Sequence, residues 1–132
     1  LIEPHPAPPG PNFSAEEVHA MQRAVINLFG RWDITDTQAA TLLGEIAPRT
    51  FQRWKAGEYG RVGPDLAARL SNLLGIHKAL RLLFKDAERG YGWIRRPNAA
   101  FGERSALAVM LGGQLTDLMR VRRYLDAVRG GW

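Results

Sequence analysis

The chain has 132 residues, 45% of them hydrophobic and 23% charged, with no cysteine and a formal net charge of +5. That describes one globular domain or two small ones sharing a core, and it excludes wholesale disorder, a disulfide framework, a thiol nucleophile and a cysteine-ligated metal. No apolar run approaches the roughly 18 residues of a membrane span, and the first residues lack the basic start and apolar run of a signal peptide, so a cytoplasmic protein is expected. Charge is unevenly placed: residues 1–60 carry 5 basic and 7 acidic side chains, residues 61–132 carry 13 basic and 6 acidic. An arginine-rich second half suits an anionic partner, nucleic acid or an acidic protein surface, although a solvated face has the same composition.

Residues 1–13 are dominated by proline and read as a disordered arm outside the core. Ser14 with Glu17 three positions later predicts a capping box, and Val18, Met21, Val25, Leu28 and Phe29 follow as one helical stripe. Thr35 and Gln38 predict a second capping box. The short helix they open carries Ala39, Ala40, Leu42 and Leu43 and stops at Gly44. Pro48 suits the first turn of a third helix running through Phe51 and Trp54 to Gly57. After a mixed-charge loop at 58–63, Pro64 opens a long helical stretch. Gly75 is expected to interrupt it, with a bent or restarted helix through Ile76, Leu80, Leu83 and Phe84. Trp93 and Ile94 lead into a loop from Asn98 to Arg104. A short helix starts near Ser105, Gly112-Gly113 breaks the chain, and a last helix spans about Gln114 to Val128 with Leu118, Val121, Leu125 and Val128 inward. No period-2 run of β-branched residues occurs. The fold class is therefore all-α, with about seven helices. The loop at 58–63 and Gly75 are both candidate boundaries between two helical halves, and a shared core fits equally well.

Residues 38–57 look like a helix-turn-helix. Ala39 and Ala40 let two helices approach, Gly44 permits the turn, and Phe51 and Trp54 fix the second helix on the core. Arg49, Thr50, Gln52, Arg53 and Lys55 then project outward as candidate DNA contacts, Arg and Gln to base edges, Lys and Thr to phosphates. The alternative is an ordinary helical hairpin with a polar outer face. The net negative charge of this half opposes strong binding by a lone copy, which dimerisation or the basic second half would relieve.

In the second half, Trp93, Pro97, Asn98, Phe101, Gly102 and Ser105 form a specified loop: Pro97-Asn98 turns the chain, Phe101 plugs a pocket, Gly102 supplies backbone freedom and Ser105 caps the next helix. This pattern, with Gly112-Gly113, Leu118, Val121, Tyr124, Leu125 and the closing Gly130-Gly131-Trp132, resembles the C-terminal toxin-binding domain of the MbcA/ParS/Xre antitoxin family, its ParS branch most of all. The family also has an Xre-type helix-turn-helix in front. The resemblance covers residues 14–132, and the proline-rich arm departs from it. It implies a helix-turn-helix region over 14–63 packed with a toxin-binding domain over 64–132. It further implies an antitoxin of a type II toxin–antitoxin system, dimeric, that neutralises a RES-domain toxin and represses its own operon with that toxin. Such toxins use NAD, degrading it or transferring ADP-ribose from it, so the partners are the toxin, a second copy and operator DNA. On this reading Arg122, Arg123, Tyr124, Arg129, Gly130, Gly131 and Trp132 contact the toxin. The arginines pair with carboxylates at its rim, and Trp132 enters where a ring of NAD would sit. The alternatives for the tail are a frayed end or a Trp132 folded back on Tyr124.

A free-standing helix-turn-helix regulator is the competing reading, and it leaves the pattern from residue 93 onward unused. An enzyme is not expected, for the chain has no glycine-rich phosphate loop after a strand and no credible acid/base pair. No metal or cofactor is expected either. His5, His19 and His77 lack ligand spacing and are expected at the surface or in caps. Ser14, Ser71 and Ser105 lack a His/Asp partner. Trp32, Trp54 and Trp93 are expected to be core anchors.

Overall fold

A computed structural model of the chain describes residues 13–130. The arm expected at 1–13, Phe13 apart, and Gly131 and Trp132 lie outside the described residues. Seven α-helices run in order: α1 (Ala15–Arg31), α2 (Asp36–Leu42), α3 (Pro48–Lys55), α4 (Pro64–Leu83), α5 (Ala87–Trp93), α6 (Ala106–Met110) and α7 (Leu115–Val128). The all-α expectation holds, with one small addition. Strands β1 (Pro97–Asn98) and β2 (Arg104–Ser105) pair antiparallel around a single 3-10 turn at Ala99–Phe101. Two-residue strands have no period to read, so pattern analysis passes over them.

Local chemistry sets the helix starts. Ser14 Oγ accepts from the Glu17 N–H at 3.1 Å while the Ser14 N–H donates to Glu17 Oε1 at 3.2 Å. Thr35 and Gln38 make the same reciprocal pair at 3.1 and 3.0 Å. Each satisfies two backbone donors that a helix start otherwise leaves open. Val25, Leu28 and Phe29 on α1 are buried against Phe51 and Trp54 of α3, with aromatic centroids 6.2 Å apart for Phe29 and Phe51. Helix α4 packs on α1 and on α7, so one continuous core runs from Val25 to Leu125. No helix among the described residues is long and apolar enough to cross a membrane.

Three expectations are corrected here. Val128, expected inward on the last helix, is 53% exposed and lies beyond the core, which ends at Leu125. Gly75 does not interrupt α4, which continues unbroken from Pro64 to Leu83. The glycine is there for space, because a Cβ would sit 2.5 Å from the Arg122 guanidinium that crosses it from α7. Residues 87–93, for which the sequence reading assigns no helix, form α5. Asp86 starts it by accepting from the Glu88 N–H at 3.0 Å. Gly75→Ala should leave the unfolding free energy within about 1 kcal/mol of the parent, since the intrinsic helix preference for Ala offsets displacement of a flexible side chain end. Urea denaturation checks this, and a loss above about 3 kcal/mol, well outside the helix-propensity scale, would mean that Arg122 is locked in place.

Arg69 on α4 was not singled out by sequence, yet it is only 7% exposed. Its Nη1 donates to the Gly113 carbonyl at 2.9 Å and to the Leu42 carbonyl at 3.4 Å, and its Nε pairs with Asp65 at 2.8 Å. It thereby ties the end of α2 to the turn before α7. Gly44 makes room for it: φ is +87° there, and a Cβ would meet Arg69 Nε at 3.0 Å.

Candidate functional site

Two surfaces carry the expected contact residues. The first is α3. Pro48 begins the helix and no side chain caps it. Phe51 and Trp54 turn inward, which leaves Arg49, Gln52, Arg53 and Lys55 exposed and Thr50 half-buried. The five candidates do share one outer surface, but they are not equally free. Gln52 Nε2 donates to Asp36 Oδ2 at 2.5 Å, and Lys55 Nζ donates to Asp36 Oδ1 at 2.6 Å. Lys55 also lies 5.0 Å above the Phe51 ring. The hydrogen bond from Lys55, with its charge and the Gln52 hydrogen bond, holds the Asp36 carboxyl below its ordinary value against an opposing effect of burial. Arg49 and Arg53 have no ion-pair partner among the described residues.

The second surface is built around the ribbon and α7. Asn98 Oδ1 accepts from the Ala100 N–H at 2.9 Å, Gly102 takes φ +66°, and Ser105 Oγ accepts from the Ala108 N–H at 3.0 Å. Glu103 shares the left-handed conformation at φ +67° and closes the loop by donating its N–H to the Asn98 carbonyl at 3.0 Å. The turn delivers Phe101, 3% exposed, against Tyr124 with centroids 5.1 Å apart. Trp93 stacks on Tyr124 at 6.1 Å and 15° between planes. Trp93 and Phe101 thus both pack on Tyr124, and Asn98, Gly102 and Ser105 shape the turn that carries Phe101 there. Trp32 and Trp54 are core residues as expected, and Trp93 is half-buried.

The residues assigned to toxin contact separate into four groups. Arg123 is exposed and has no ion-pair partner among the described residues. Arg122 and Arg129 share Asp126 at 3.9 and 3.4 Å, and Arg122 also donates to the Ser71 carbonyl at 3.5 Å. Tyr124 is half-buried in the aromatic cluster. Gly130, at φ +76°, is the last described residue, and Gly131 and Trp132 fall beyond it. Arg120 packs 5.3 Å over the Phe101 ring and donates to the Ala100 carbonyl at 3.4 Å.

Sequence reasoning missed Asp36 and Arg69, because their partners, Asp65 apart, lie 16 to 44 positions away. Two of the three histidines are less peripheral than expected: His19 rests on Tyr59 at 5.2 Å, and His77 stacks on Tyr91 at 6.2 Å, while His5 lies outside the described residues. Burial, with Arg81 and Arg31 close by, holds the His77 pKa below its ordinary value. No group of three or more His, Asp or Glu able to hold a metal occurs among the described residues.

Comparison with known proteins gives two adjoining family matches. Residues 14–75 match the antitoxin Xre-like helix-turn-helix domain, and residues 79–131 match the antitoxin Xre/MbcA/ParS C-terminal toxin-binding domain. An uncharacterised protein of Sinorhizobium fredii (strain NBRC 101917 / NGR234), y4oB, is 43% identical over 121 residues, 92% of this chain and 93% of that protein.

Proposed function

The chain belongs to the Xre/MbcA/ParS antitoxin family, with a helix-turn-helix domain in front of a toxin-binding domain, and on that premise we propose that it neutralises a RES-domain, NAD-using toxin by covering its active site. Both domains point to a non-catalytic regulatory protein. In this reading residues 64–132 hold the toxin and residues 14–63 hold operator DNA, in a cytoplasmic homodimer that represses its own operon.

The observation that carries the reading is the ribbon unit around Tyr124, which lies within the stretch matching the toxin-binding domain. It fixes α7 so that Arg123 stands free and Arg129 is held only by an exposed pair, which costs little to exchange for a toxin carboxylate. A cleft that binds NAD accepts an aromatic ring and a pyrophosphate. The Gly130-Gly131-Trp132 tail offers an indole for the first position and a terminal carboxylate for the cations that serve the second. Inhibition is then steric.

The test is co-expression. Cells induce the neighbouring gene together with either the full chain or a version ending at Arg129, and growth and cellular NAD are followed. Rescue by the full chain alone supports tail occlusion. Rescue by both keeps the antitoxin and moves inhibition to the α7 surface. Rescue by neither, with both proteins well expressed, favours the free-standing regulator.

A further inference from the structure

We propose that Asp36 sets how selectively α3 reads DNA, by withholding Lys55 and Gln52 from the duplex and leaving Arg49 and Arg53 as its free readers. The inference rests on the DNA-binding reading of α3 and goes beyond it, because Asp36 sits on a different helix and is not among the residues that reading names.

Three observations carry it. Asp36 lies in the first turn of α2, and both of its carboxylate oxygens are used, one by Gln52 Nε2 at 2.5 Å and the other by Lys55 Nζ at 2.6 Å. The pair is open to water, with side-chain exposures of 41% for Lys55 and 48% for Asp36, so it occupies surface that a duplex on α3 would approach. Arg49 and Arg53, on the same helix, have no acidic partner among the described residues. The carboxyl stays ionised at ordinary pH, since Lys55 holds its pKa down.

The consequence follows from how protein–DNA affinity is composed. Each Lys or Arg that neutralises a phosphate releases counterions and adds to sequence-independent binding, whereas base contacts supply discrimination. A lysine already neutralised by Asp36 adds little to the first, and the carboxylate repels approaching phosphates. Gln52, one of the two residue types on α3 suited to base edges, is held by the same group, so sequence reading falls to the two arginines. This half of the chain has few cations to give. Restraining one of them lowers attachment to unrelated DNA while leaving the guanidinium contacts intact.

The experiment measures binding of the purified full chain to two duplexes across a salt series. One carries the DNA upstream of its own gene and the other a scrambled sequence of equal length. Asp36→Asn keeps the shape and an acceptor oxygen but removes the charge. The inference expects tighter binding to scrambled DNA, a smaller ratio between the two duplexes, and a log–log salt slope steeper by about 1, the increment of one released phosphate contact. Adding Lys55→Met to Asp36→Asn should return the slope to the parent value. Thermal melting of each variant identifies any that has failed to fold. An unchanged slope in a folded Asp36→Asn that still binds DNA overturns the inference and leaves the DNA-binding reading standing. A steeper slope that persists in the double variant also overturns it, because the released cation is then not Lys55. A parent chain that binds neither duplex at any salt overturns both.

Discussion

Arg69→Met will cost about 2–4 kcal/mol of unfolding free energy, the sum of one buried and one part-buried carbonyl losing their donor at roughly 1–3 kcal/mol each, partly offset by no longer burying a guanidinium. The carbonyls are those of Leu42 and Gly113. Met retains most of the side chain's packing, so the loss reports hydrogen bonding rather than a cavity. Asp65→Ala is the contrast. Its carboxylate is 65% exposed and Arg69 keeps both carbonyl acceptors, so breaking this part-buried pair should cost less, about 1 kcal/mol. Urea denaturation of both variants measures the difference. A change below about 0.5 kcal/mol for Arg69→Met, the range of an ordinary surface substitution, would contradict the role assigned to it. The end of α2 and the turn before α7 belong to different functional halves, so the same variant should also loosen both.

The second large effect falls on DNA. Arg49→Ala with Arg53→Ala will weaken binding to the DNA upstream of the gene by about 30-fold or more at fixed salt, given roughly 1–3 kcal/mol for each arginine that meets a base pair. Both side chains are exposed, and removing them leaves Phe51 and Trp54 seated in the core, so melting and toxin binding should not change. Gel-shift titration measures the affinity. An affinity within twofold of the parent would remove α3 from the interface.

Local chemistry made much of the fold readable. The Ser14–Glu17 and Thr35–Gln38 boxes, Pro48, Pro64 and Ser105 each act within a few residues, and each starts a helix where its own side chain or ring predicts. Gly75 misled because a glycine within an apolar stripe resembles a break, while the reason for it lies 47 positions away in Arg122. Helix α5 was obscure for a related reason. Its two glycines lower helix preference, but Gly90 is buried where a Cβ would touch the Leu80 carbonyl and Phe84, so tertiary packing holds a weak helix in place. On the α3 surface, the outward stagger against Phe51 and Trp54 was legible and the Asp36 clamp was not, since it depends on how α2 crosses α3. On α7, the arginine cluster was legible as charge. The structure separates it into Arg123, free among the described residues, and Arg122 and Arg129, which share Asp126.

Neutralisation of a toxin is the centre of this account, and NAD turnover by that toxin tests it most directly. On the proposed reading the neighbouring gene encodes a RES-domain, NAD-using toxin; that purified protein would be held at a fixed concentration with NAD, and the purified full chain titrated in. The account predicts that NAD loss stops at a stoichiometric ratio, with a co-eluting complex on size exclusion, and that a chain ending at Arg129 inhibits more weakly. Undiminished NAD loss in the presence of excess folded chain, with no complex formed, would contradict it.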